Sequence, residues 1–80
     1  MAYYKHSRYL AVSDHDLFDK IFDPGTNTPY SGIYRCEVCG REDISIRDIF
    51  LPSYKHHRHR PGQGPIRWRM VIGCQPDPNR

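Results

Sequence analysis

The cleanest alternation of apolar and polar positions lies near the carboxyl end, where Ile66, Trp68, Met70 and Ile72 fall on one side and Arg67 and Arg69 on the other. Period two over this run predicts a strand with one covered face. Ile44 and Ile46, set between Asp43 and Arg47, predict a second strand of the same kind, closed by Phe50-Leu51-Pro52. Residues 3–12 are rich in aromatic and branched side chains and carry no breaker, so they predict a further strand with Lys5, Ser7 and Arg8 towards solvent. A different period follows. Ser13 suits a helix N-cap, Asp14 and Asp16 suit the positive end of a helix dipole, and Leu17, Phe18, Ile21 and Phe22 recur at helical spacing. A short amphipathic helix is expected there, stopped by Asp23-Pro24-Gly25. Residues 26–32 have neither period, and their proline and glycine predict a loop.

That loop delivers the chain into Ile33-Tyr34-Arg35 and then Cys36-Glu37-Val38-Cys39-Gly40. Two thiolates separated by two residues in a tight turn can grip one face of a tetrahedral metal, and the following glycine permits the positive φ such a turn needs. The turn would join two arms of a hairpin. The other half of a site must come from elsewhere, and the dense supply is His56-His57-Arg58-His59, with Cys74 further on. His56 and His59 repeat the two-residue spacing of the cysteines, which selects Cys36, Cys39, His56 and His59 as ligands of one zinc ion. His57 can replace either histidine, and Cys74, a softer ligand, can displace one. Histidines beside Arg58 and Arg60 can also be no more than a solvated basic segment. The acids Asp14, Asp16, Asp19 and Asp23 lack the glycine and glutamate spacing of a calcium loop and read as a solvated helix face.

Eighty residues allow one domain. Within it, 1–31 would hold the first strand, helix and loop, 32–73 a metal-centred sheet, and 74–80 a frayed tail. At 38% hydrophobic residues the core must be small, and a metal would compensate. An odd cysteine count of three argues against a disulfide framework. No apolar run resembles a signal peptide or a membrane span, so a reducing cytoplasm is the expected setting. The net charge of +3 is unevenly placed. Up to Ser53 acids outnumber bases, whereas beyond it stand Lys55, Arg58, Arg60, Arg67, Arg69 and Arg80 against Asp77 alone. An anionic partner, nucleic acid or an acidic protein surface, would therefore meet Arg58, Arg60, Arg67 and Arg69. Trp68 reads first as a core anchor, with its neighbouring arginines on the wet face.

The run Gly32-Ile33-Tyr34-Arg35-Cys36-Glu37-Val38-Cys39-Gly40 resembles the opening of zinc-bearing β proteins, among them zinc ribbons and the methionine sulfoxide reductase B family. Pro29-Tyr30-Ser31-Gly32 is similar to the stretch that can precede such knuckles. Phe22-Asp23-Pro24-Gly25 through Tyr34, with Phe50-Leu51-Pro52 and Trp68, resembles a group of small bacterial proteins. The resemblance implies a mostly β, zinc-ribbon-like antiparallel sheet. It does not imply the reductase chemistry: a second C-x-x-C is replaced by His56 and His59, and no segment resembles that family's catalytic cysteine region. The expected function is a non-enzymatic zinc-binding module. The alternative is a thiol redox protein in which Cys36 and Cys39 cycle, assisted by Cys74 or a histidine.

Overall fold

The structure, a computed structural model, describes residues 1–74. It is mostly β, built on a three-stranded antiparallel sheet of β1 (Gly32–Cys36), β2 (Glu42–Ser45) and β3 (Trp68–Gly73) in the order β2-β1-β3. The central strand pairs Ile33 with Ile44 on one side and Cys36 with Trp68 on the other. The turn between β1 and β2 is the cysteine knuckle. It is closed by Cys36 N–H donating to Arg41 O at 2.7 Å and Gly40 N–H donating to Cys36 O at 2.8 Å, with Gly40 at φ 82°.

The alternation that predicted β3 holds through Met70 and then slips. Tyr34 faces Met70 while Ile33 faces Ile72, so Val71 is an extra residue opposite the Ile33–Tyr34 step. This bulge moves Ile72 off the face of Trp68 and Met70 and into one row with Ile33 and Ile44. The core lies on the other face, where Tyr34, Cys36, Leu51, Ile66, Trp68 and Met70 are buried and Leu17, Phe18, Phe22 and Val38 pack at the edge. Tyr34 takes its hydroxyl inside by donating to Tyr30 O at 2.6 Å.

Two expectations from the amino-terminal third are corrected. Residues 3–12 form no strand: a single 3-10 turn spans Ser7–Tyr9, and the side chains around it are exposed. A branched and aromatic run becomes a strand only when a sheet edge receives it, and among the described residues nothing pairs with this one. The helix shrinks to one 3-10 turn, Asp16–Asp19, capped by His15, whose Nδ1 accepts from Leu17 N–H, while Ser13 Oγ serves His15 N–H. Phe22 ends it by forming an isolated bridge with Trp68, through N–H to O bonds of 2.8 and 2.9 Å.

The loop after Pro24 is tied rather than loose. Thr28 N–H donates to Ile49 O, Leu51 N–H to Thr26 O and Gly25 N–H to Leu51 O, and buried Thr28 shares a hydroxyl hydrogen bond with buried Ser45. These bonds fix Leu51 in the core. Trp68 Nε1 donates to Pro52 O at 3.1 Å, which ties the start of the histidine segment to β3. Of the expected tail, 74–80, residues 75–80 lie outside the described residues.

Candidate metal centre

Cys36 and Cys39 stand at the end of β1 and in the knuckle, so the hairpin sets their positions. The histidine segment crosses over the buried indole of Trp68, with ring centroids of His56 and His57 at 5.5 and 5.8 Å from it, both edge-on. That packing brings one ligand atom each from Cys36, Cys39, His57 and His59 within 4.8 Å of one another.

Three of the six separations are close to the edges of a tetrahedron. Zinc bonds of about 2.0 Å to nitrogen and 2.3 Å to sulfur imply tetrahedral edges of about 3.3 Å between nitrogens and about 3.5 Å between nitrogen and sulfur. Cys36 Sγ lies 3.4 Å from His59 Nε2, Cys39 Sγ 3.2 Å from His57 Nε2, and the two Nε2 atoms are 3.1 Å apart. Two thiols and two imidazoles that converge at these distances can hold one metal ion.

Of the four residues selected by spacing, the structure gathers Cys36, Cys39 and His59 and puts His57, the open alternative, where His56 was expected. From His57 onward the segment is neither helix nor turn, so residues two apart present their rings to the same side. His57 and His59 satisfy that condition. His56 turns instead to Asp43, with Nε2 2.8 Å from Oδ2, and its Nδ1 lies 2.7 Å from His57 Nδ1. His59 Nδ1 lies 2.7 Å from Gly64 O. Cys74 is free and exposed and is not part of the cluster. The spacing gave no sign of Asp43 or Gly64, because both reach the site only through the fold.

Local electrostatics favour the metal-binding protonation states. Burial opposes ionisation of Cys36, but backbone N–H groups of Arg67, Cys39 and Val38 and the Cys39 thiol outweigh it, lowering the pKa from 9.0 to about 7. His57 is held below its ordinary value, first by burial and then by the positive charges of His56, His59 and Arg41. Its neutral form, the one that ligates, is thereby favoured.

The four arginines assigned to a partner separate into two pairs. Arg69 Nε lies 3.0 Å from Glu37 Oε1, and an Arg67 guanidinium nitrogen lies 3.8 Å from Asp23 Oδ1. Arg58 and Arg60 instead line an open hollow with Tyr54, His57, His59 and Ile66. Trp68 is fully buried and offers no face to a base. No helix among the described residues is long and apolar enough to cross a membrane.

Comparison with known proteins finds a relative, Protein L of Escherichia coli, 38% identical over 60 residues that make up 75% of this chain and 68% of Protein L. No family model matches the chain, neither of zinc ribbons nor of the sulfoxide reductase. No solved structure matches it.

Proposed function

We propose that this chain, which belongs to the same family as Protein L of Escherichia coli, is a small cytoplasmic binding module held together by one structural zinc ion and presenting a basic face to an anionic partner. The observation that carries the metal is the convergence of Cys36, Cys39, His57 and His59 within 4.8 Å. Zinc suits the donor set: two thiolates and two imidazoles are an ordinary structural combination, and four protein ligands leave no position for a substrate or an activated water. A metal held in this way is structural rather than catalytic, which supports the reading of a non-enzymatic module. The redox alternative needs a thiolate free to attack, whereas a zinc ion held by this cluster would occupy both knuckle thiolates.

The basic face centres on Arg58 and Arg60, with exposed Tyr54 beside them. Guanidinium groups next to an accessible aromatic ring suit phosphates and an unpaired base, which favours single-stranded nucleic acid over an acidic protein. Arg67 and Arg69, already near acids, contribute less.

Elemental analysis of the full chain, purified without a histidine tag, should find one zinc per molecule. Removing it with a chelator should abolish the folded circular dichroism signal. Metal-free protein that keeps its fold would reject the structural role. For the partner, anisotropy of a labelled single-stranded oligonucleotide should show binding that weakens steeply as salt rises and that Arg58→Glu with Arg60→Glu removes. Binding insensitive to both salt and charge reversal would reject the basic face.

A further inference from the structure

We infer that Asp43 and His56 form a positioning pair that fixes the proton on His57 and so presents its Nε2 lone pair to the metal. This rests on the zinc reading above and adds two residues to it, neither of them a ligand.

The inference follows from counting donors and acceptors along one line of atoms. Asp43 Oδ2 lies 2.8 Å from His56 Nε2, and His56 Nδ1 lies 2.7 Å from His57 Nδ1. An ionised carboxylate only accepts, so the proton between Asp43 and His56 belongs to His56 Nε2. A His57 that ligates through Nε2 must carry its proton on Nδ1, so in the metal-bound state His56, with its single N–H at Nε2, is neutral and accepts at Nδ1. The proton between the two rings therefore sits on His57 Nδ1, and His57 Nε2 is left with its lone pair, 3.2 Å from Cys39 Sγ and 3.1 Å from His59 Nε2. Reversing any one bond would put a proton on the atom that must ligate. His59 reaches the same state by a shorter route, its Nδ1–H donating to Gly64 O at 2.7 Å. Both imidazole ligands are thus oriented from behind, one by a carbonyl and the other by a carboxylate acting through a second imidazole.

The placement of the parts supports a built arrangement. Asp43 is on β2, paired with Tyr34 of the central strand, so the carboxylate is held by the sheet. His56 is fixed in its ring plane by the indole of Trp68. The pair also accounts for three histidines in four residues where the metal takes only two.

The test compares zinc affinity, by competition with a chromophoric chelator, in the full-length wild type, Asp43→Ala, Asp43→Asn and His56→Phe. His56→Phe keeps a ring against Trp68 but lacks both nitrogens. Asp43→Ala and His56→Phe should each weaken zinc binding about ten- to a hundred-fold, the double variant should be no worse than either alone, and Asp43→Asn, which still accepts, should fall between. In the zinc-loaded wild type, long-range proton–nitrogen correlation should show His57 protonated at Nδ1, with that proton lost or fast-exchanging in Asp43→Ala while His59 Nδ1–H is unchanged. Affinities within twofold of wild type together with an unaltered His57 signal would overturn the positioning role and leave the zinc site standing. A wild type that binds no zinc in the same titration would overturn both. A folding defect in Asp43→Ala would not blur the outcome, because His56→Phe probes the same line of atoms from a residue outside the sheet.

Discussion

A Cβ on Gly32 would overlap the carbonyl oxygen of Ile72 across the β1–β3 pair, so this position accepts no side chain without moving a backbone. Gly62, by contrast, has a positive φ but open space around it. Gly32→Ala should therefore cost well over the roughly 1 kcal/mol that the left-handed backbone alone costs Gly62→Ala. Urea unfolding of the zinc-loaded variants checks it: a Gly32→Ala midpoint no lower than that of Gly62→Ala would mean the strands part there without penalty. At this scale the sequence was informative where residues are neighbours. Cys36, Cys39 and Gly40 form a unit whose spacing alone specifies a turn, and the structure gives that turn with Gly40 at positive φ. The choice between His56 and His57 was not legible, because it depends on which way an irregular segment faces as it crosses Trp68, and on Asp43, a strand residue with no sequence relation to either.

Among the elements, β1 and β3 were legible because alternating burial against one core leaves a period-two trace, whereas β2 falls near the expected strand with its faces reversed, Ile44 and Ile46 being exposed and Ser45 buried. The amino-terminal arm was not legible, because its composition is that of a strand while its contacts are those of a tail. Tyr3 is 98% exposed and Val12 fully so, and the Met1 amino group meets Glu42 only at 3.6 Å on the surface. An exposed pair of that kind contributes little. Deleting residues 1–12 should accordingly leave the zinc stoichiometry unchanged and move the melting temperature by no more than a few degrees, since no core side chain is lost. A deletion variant that fails to fold, or that loses zinc, would show that the arm covers the sheet after all. The 3-10 turn Asp16–Asp19 is different. Leu17 and Phe18 pack against the core, so extending the deletion past them should destabilise the fold.

In the molecule as a whole, Cys36 belongs to two systems at once, as one of the six buried core side chains among the described residues and as one of the four converging ligands. Core packing and metal binding are therefore not independent, and a core this small has little stability without the metal. The pH dependence follows from the same residue. Zinc takes the thiolate, so above about 7 Cys36 is already in the binding form, and below it a proton must be displaced for each ion bound. His57 is held below its ordinary value, so proton competition at this ligand is weaker than at an ordinary histidine. The sign for the metal-free chain agrees. A folded pKa lowered from 9.0 to about 7 contributes stability that is complete above 9.0 and is lost as pH falls through 7. Chelator competition at pH 8, 7 and 6 should thus show the Cys36 contribution to zinc affinity changing little between the first two and falling towards tenfold per unit below pH 7. A Cys36→Ser variant should lose that bend along with most of its affinity. Were the bend to survive the substitution, the titrating group would lie elsewhere, and Cys36 would be a core residue beside the metal rather than one of its ligands.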